Sequence, residues 1–243
     1  AGYTSRLPTA LAVVSLDADG KPTYAFHHGP VADRDTETRK IIASLPNSIS
    51  LLHTGGLALV PEDVDKVITV MQVVAKRGGV LSVDANLRPI ATDDLPAYRQ
   101  GVLRALKQAH IIKVSDEDLH HLGFGSDDLI ASAKKLFDHS EVQLIALTLG
   151  ADGAVLITRS AMTQLAPPKI RIKDTVGAGD CFQAGLISYL ARAEKINQAA
   201  IRNLDEKILS ETLRHAIAAA SVNITRAGCD PATWKETAAF NFS

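Results

Sequence analysis

The chain has 243 residues, of which 46% are hydrophobic, so one globular unit with a sizeable core and at most a small appendage is expected. Its 26 basic and 27 acidic residues leave a net charge of −1, which gives no reason to expect nucleic acid or an anionic membrane as a partner. The two cysteines, Cys181 and Cys229, imply no disulfide framework and suit a reducing cytoplasm. No apolar run approaches membrane-spanning length.

The first elements predicted along the chain form a β-hairpin. Residues 9–16 and 23–27 have the composition of strands, and the turn signal at 17–20 lies between them. An ordinary surface hairpin and a functional lid both fit this pattern. We therefore separate a hairpin region, residues 1–30, from an α/β region, residues 31–243.

The α/β region alternates strand and helix patterns. Strands are predicted at 49–54, 80–83, 111–114, 142–149 and 154–158. Helices are predicted from Pro61 to Gly78, at 95–109, shortly after Ser115, at 126–137, at 181–190 and at 213–224. Repeated strand–helix units predict a doubly wound, mostly parallel sheet with helices on both faces.

Polar residues cluster where three of these strands end. The clusters are Asp84, Asn86 and Arg88; Ser115 and Asp118; and Thr148 and Gly150. Ligands of such sheets bind beyond the carboxyl ends of the strands, so the clusters indicate a binding site at one edge. The competing interpretation is that loops are polar in any case.

A glycine loop at residues 174–180 precedes the apolar helix pattern at 181–190. Gly177 and Gly179 lack Cβ atoms, so a phosphate could approach the backbone at the helix N-terminus, where free N–H groups favour anions. Asp180 follows, and a carboxylate beside an anion site can accept a proton from an attacking hydroxyl. A glycine turn with an acidic helix cap would explain the same residues.

The loop sequence DTVGAGD resembles the second signature of the PfkB, or ribokinase-like, carbohydrate kinases. The resemblance extends from about residue 8 to about residue 234. It points to bacterial fructokinases through the segments DANLRP at 84–89 and KVSDED at 113–118. The implied fold is ribokinase-like, and the implied reaction is ATP-dependent phosphorylation of fructose to fructose 6-phosphate. Kinases of ribose, a 2-keto-3-deoxy sugar acid or a nucleoside remain open, as does a truncated, inactive nucleotide-binding remnant.

The resemblance also implies roles for individual residues. Asp180 would be the catalytic base, and Gly177, Ala178 and Gly179 the anion hole for the transferring phosphoryl group. The implied substrate-binding residues are Asp180, Asp84, Asn86 and Arg88. The implied nucleotide-binding residues are Ser115, Thr148, Gly150, Gly177, Gly179, Ala219 and Asn223. Alternatively, Arg88 forms a salt bridge with Asp84, and the small residues near Ala219 serve close helix packing.

Metal sites are implied less directly. The family usually organises Mg²⁺ with Asn-x-x-Glu, whereas this chain has Ser115-x-x-Asp118, which also fits a helix capping box. Many relatives bind a monovalent cation such as K⁺ beside the anion hole. Asp174 and residues 226–229 match that region, although a serine often found slightly downstream is Ala232 here.

In the resembled family, the region of this hairpin belongs to a small β-lid over the sugar site. The resemblance therefore implies a lid here, and a homodimer could form through that lid. The family's Gly-Gly-x-x-x-Asn signature and its leading strand are absent from the sequence, so we expect a further N-terminal segment in the native protein and an incomplete sugar site in residues 1–243 alone. His53 ends a strand beside Gly55 and Gly56, where it either faces the sugar or is a structural histidine.

Overall fold

The computed structural model describes residues 4–16, 22–27 and 29–242. The strands are β1 (Leu11–Leu16), β2 (Pro22–His27), β3 (Leu51–Gly55), β4 (Val80–Asp84), β5 (Ile111–Ser115), β6 (Leu144–Thr148), β7 (Ala154–Ile157) and β8 (Met162–Leu165). The helices are α1 (Thr38–Ser44), α2 (Val64–Lys76), α3 (Leu95–Leu106), α4 (Asp116–Leu122), α5 (Leu129–Lys134), α6 (Leu136–His139), α7 (Ala178–Arg192), α8 (Gln198–Arg202), α9 (Glu206–Ile224) and α10 (Trp234–Ala238).

The large sheet joins strands β3 to β8 in chain order. Strands β3, β4, β5 and β6 are parallel, because a helical crossover connects each to the next. A tight turn at 150–153 then reverses the chain, so β7 pairs antiparallel with β6, and after a second reversal β8 pairs antiparallel with β7. Strands β1 and β2 form a separate antiparallel pair. The predicted mostly parallel sheet is confirmed.

Helices cover both faces of this sheet, as predicted, and each face has its own core. Successive strand residues point to opposite faces, so Leu81 and Val83 of β4 pack on the side of α2 and α3. Val80 packs on the other side, against α7 and α9. By the same alternation Ser82 and Asp84 lie on the α7 side. Two polar side chains are thus placed beneath the helix that begins at the glycine loop.

Several predicted boundaries were wrong. Helix α2 begins at Val64, since Pro61 lies in the turn before it, and the helix predicted at 126–137 is divided into α5 and α6. The helix predicted at 213–224 begins at Glu206, where Asp205 caps it. Strand β8 and helices α8 and α10 were not predicted, because each has only four or five residues. The predicted turn at 17–20 lies outside the described residues. None of the described helices is long and apolar enough to cross a membrane.

Candidate active site

The glycine loop forms the start of α7, as the sequence indicates. Gly177 is the N-cap residue and adopts a left-handed conformation with φ of 76°. A Cβ atom here would lie 2.3 Å from Cys229 Sγ, so no other residue fits without rearrangement. Ala178, Gly179 and Asp180 follow as the first turn. The N–H group of Ala178 donates to the carbonyl of Thr175 at 3.1 Å, and those of Gly179 and Asp180 have no partner inside the helix. Asp180 is exposed at this turn.

Two side chains hold this loop in place, one from its own first residue and one from α9. Asp174 accepts hydrogen bonds from the N–H of Val176 at 2.9 Å and from that of Gly228 at 2.8 Å. These backbone donors lower the pKa of Asp174. The fully buried Asn223 donates from Nδ2 to the carbonyl of Val176 at 2.9 Å. Asp174 and Asn223 therefore stabilise the loop, and their proposed cation and nucleotide contacts remain predictions.

A buried ion pair lies beneath the first turn of α7. Lys113 Nζ is 2.9 Å from both carboxylate oxygens of Asp84, and both side chains are 5% exposed. Lys113 Nζ also lies 3.4 Å from the position that a Cβ atom of Gly179 would occupy. Burial raises the pKa of Asp84 to about 6, and the positive charge of Lys113 opposes this shift. A cation is thus placed directly under the first turn of α7.

The alternative prediction of an Arg88–Asp84 salt bridge was wrong. Asp84 pairs with Lys113, which lies on the same face of the neighbouring strand β5. Arg88 instead donates a hydrogen bond to the carbonyl of Leu87 at 3.0 Å. In the sequence, Lys113 was noted only within the segment KVSDED. Its position inside the apolar strand β5 could have identified it, because a lysine buried there requires a charged partner.

A second set of polar side chains lies between this ion pair and the edge of the sheet. His53 Nδ1 is 3.0 Å from Ser82 Oγ, and Gln183 Nε2 donates to the same Ser82 Oγ at 2.8 Å. Gln183 is 2% exposed and follows Asp180 by three residues, on the same side of α7. Its Oε1 has no hydrogen-bond partner among the described residues. Sequence reasoning missed Ser82 and Gln183.

The remaining predicted residues lie around the carboxyl ends of β4, β5 and β6. Asn86 has a φ of 38°, uncommon for a residue other than glycine. Thr148 ends β6, and Gly150 begins the following turn with φ of 56°.

Ala219 lies on α9, where a Cβ atom added to Gly185 of α7 would be 2.9 Å from its Cβ. Close helix packing thus accounts for Ala219, and its nucleotide contact remains a prediction.

Residues 3–236 match the pfkB family of carbohydrate kinases. The chain belongs to this family. It is 32% identical over 226 residues to a probable fructokinase-4 from Arabidopsis thaliana, covering 92% of this chain and 67% of the relative. It is 30% identical over 202 residues to a fructokinase from Rhizobium leguminosarum bv. trifolii, covering 83% of this chain and 61% of the relative.

Solved structures of kinases share the fold of this pfkB chain. Fructokinase from Vibrio cholerae O395, in a form with fructose, ADP and calcium bound, is 26% identical with a TM-score of 0.74, covering 90% of this chain and 68% of that one. Aminoimidazole riboside kinase from Salmonella enterica, complexed with aminoimidazole riboside and an ATP analog, is also 26% identical, with a TM-score of 0.70 and coverage of 85% and 65%. The chain spans about two thirds of the length of the relatives it matches.

Proposed function

We propose that this pfkB family protein transfers the γ-phosphoryl group of ATP to a hydroxyl of a small sugar, with fructose to fructose 6-phosphate as the favoured reaction. The observation that carries this proposal is the placement of Asp180. The carboxylate lies in the first turn of α7, next to the left-handed Gly177 and near the buried cation of Lys113. A base and an anion-binding turn are thereby brought to one point.

In the proposed reaction, Asp180 accepts the proton of the attacking hydroxyl as the new bond to phosphorus forms. The anion hole at residues 177–179, in which the N–H group of Ala178 already donates to Thr175, binds the charged phosphoryl oxygens through its remaining N–H groups and the positive end of the helix dipole. Lys113 adds positive charge below the same turn, while Asp84 keeps its ammonium group in place. Phosphoryl transfer depends mainly on such positioning and charge stabilisation.

Mg²⁺ would neutralise phosphate charge when it accompanies ATP, held mainly by phosphate oxygens and water with few carboxylates. No group of three or more His, Cys, Asp or Glu side chains in the described ranges is arranged to hold a metal. Asp118 is 3% exposed, and its two oxygens accept from the N–H groups of Leu87 and Ser115 at 2.8 and 2.9 Å. Together with Ser115 it forms a capping box for α4. These contacts favour the capping alternative over direct Mg²⁺ ligation by Asp118.

Asp118→Ala is therefore expected to lower the free energy of unfolding by about 1–3 kcal/mol, since it removes a helix cap and leaves the Leu87 N–H without its acceptor. The Mg²⁺ concentration for half-maximal rate should stay unchanged. Urea unfolding and Mg²⁺ titration of the kinase rate measure the two effects. Asp94→Ala, which removes the exposed cap of α3, is the matched control. A folded Asp118→Ala variant that needs more Mg²⁺ would restore the metal role.

The choice of sugar is tested by product analysis with ATP, Mg²⁺ and a panel of acceptors. Fructose is expected to give the highest kcat/KM, ahead of ribose, a 2-keto-3-deoxy sugar acid and a nucleoside. A riboside is the second candidate, because the aminoimidazole riboside kinase is as similar to this chain as the Vibrio fructokinase. A folded protein that phosphorylates none of these acceptors would favour the inactive remnant.

We further propose that the β1–β2 hairpin is a lid and a dimer surface. Residues of β1 and His27 of β2 line one cavity with His53 and Thr54 of β3, which places the hairpin above the edge of the sheet. Leu11 and Val13 on this hairpin are 60% and 52% exposed, an apolar surface suited to a second copy of the hairpin. Val13→Lys is expected to shift a dimer toward monomer in sedimentation velocity, while Thr163→Lys on β8 should not. Unchanged sedimentation of Val13→Lys would exclude this dimer surface.

A further inference from the structure

His53 lies at the edge of the sheet, between the candidate active site and a cavity beneath the β1–β2 hairpin. It is one of the residues that line this cavity of about 750 Å³, which is bounded by the hairpin, β3 and α2. His53 pairs directly with Ser82 in the β3–β4 register, so both side chains lie on the α7 side of the sheet. Ser82 is hydrogen-bonded to Gln183, which lies one turn after Asp180 on the same side of α7, so His53 is on the side of the sheet that carries the first turn of this helix.

The contacts of Ser82 favour one tautomer of the His53 ring. Ser82 Oγ accepts a hydrogen bond from Gln183 Nε2, so its own hydroxyl hydrogen is available for His53 Nδ1 at 3.0 Å. A neutral imidazole that accepts at Nδ1 carries its proton on Nε2. Ser82 and Gln183 are buried, whereas His53 is exposed. The Nε2–H group is then the ring donor available to a ligand.

We propose that His53 binds the acceptor sugar through Nε2–H, and that Ser82 and Gln183 are positioning residues that fix this tautomer. The inference rests on the proposed sugar kinase function. A hydrogen bond from His53 to one sugar oxygen orients the acceptor so that another hydroxyl reaches Asp180. Such orientation is effective because the reacting atoms must be aligned before phosphoryl transfer begins.

The protonation of His53 supports this arrangement. Desolvation of the ring lowers its pKa, and the positive charge of Lys113 acts in the same direction, while the negative charge of Asp180 opposes both. The ring is therefore neutral at pH 7. A neutral donor can bind a sugar oxygen without forming an ion pair with Asp180, which leaves that carboxylate free to act as a base.

Two substitutions of His53 separate its two nitrogens. His53→Gln keeps a donor near the position of Nε2, whereas His53→Asn keeps only a group near Nδ1. His53→Asn is expected to raise the KM for the sugar about tenfold, the effect of losing one neutral hydrogen bond, with the KM for ATP unchanged. His53→Gln should restore most of the sugar affinity. An unchanged sugar KM in His53→Asn, or equal losses in both variants, would overturn the inference.

The positioning role of Gln183 is tested by ¹⁵N NMR of the His53 ring. The wild-type ring is expected to show the Nε2–H tautomer, and Gln183→Met should give a mixture of tautomers together with a higher sugar KM. Gln198→Met on α8, which removes a hydrogen bond to Gly79 away from the site, is the control and should change neither. An Nδ1–H tautomer in the wild type would overturn the inference. If the wild type phosphorylates no sugar, the proposed function fails. The NMR measurement of the tautomer still tests the positioning role of Ser82 and Gln183 on its own.

Discussion

Asp180→Asn is expected to slow sugar phosphorylation by about 10²–10⁴-fold, the usual cost of losing a general base. The amide cannot accept the hydroxyl proton, whereas the backbone of the first α7 turn is unchanged, so ATP binding should be retained. Rapid-quench measurement of phosphoryl transfer separates the chemical step from nucleotide binding, which isothermal titration calorimetry measures independently.

Asp205→Asn is the matched control, because asparagine replaces aspartate as the N-cap of α9 with little cost. Its turnover should equal that of the wild type. Near wild-type turnover in Asp180→Asn would remove this residue from the base role.

Lys113→Met is expected to lower the free energy of unfolding by about 3–5 kcal/mol, because it leaves the carboxylate of Asp84 buried without its partner. The double variant with Asp84→Asn should recover part of that loss, since no buried charge then remains. The rate of sugar phosphorylation should be low in both variants, because the cation beneath Gly179 is absent in each. Urea unfolding and steady-state kinetics measure the two effects.

Arg104→Met is the control for this experiment. Arg104 pairs with Asp65 in an exposed ion pair, whose loss typically costs no more than about 1 kcal/mol. If Lys113→Met destabilises the protein no more than Arg104→Met does, or if it keeps full turnover, the buried pair does not have the role described above.

The glycine loop was predictable because its information is local. The glycine turn followed directly by an apolar helix period at 181–190 places Gly177 and Asp180 at a helix start, and the structure confirms that placement. The parallel sheet was predictable for a similar reason, since each strand–helix unit has its own period. Prediction failed for β8, which contains Thr163 and Gln164 and is not buried, whereas the equally short β7 was predictable because all four of its residues are apolar and buried.

The polar residues beneath α7 could not be predicted because their partners are set by register. Ser82 and Lys113 are ordinary exceptions within apolar strands until the pairing of β4 with β5 brings Lys113 opposite Asp84. Gln183 likewise becomes informative only when α7 is laid over β4. Helix-to-strand and strand-to-strand contacts of this kind depend on the packed sheet, and single-sequence patterns do not contain them.

The hydrogen bonds that hold the glycine loop also determine when this loop can form during synthesis. Val176 is held by Asn223, which lies 47 residues later, and Asp174 by Gly228, 54 residues later. Domains generally fold from the N-terminus as the ribosome releases them, and contacts distant in sequence form late. The large sheet can therefore assemble on a nascent chain while the glycine loop still lacks its supports. Emergence of residues 223–228 completes the loop, so the proposed catalytic centre is expected to be among the last parts of the described chain to become ordered.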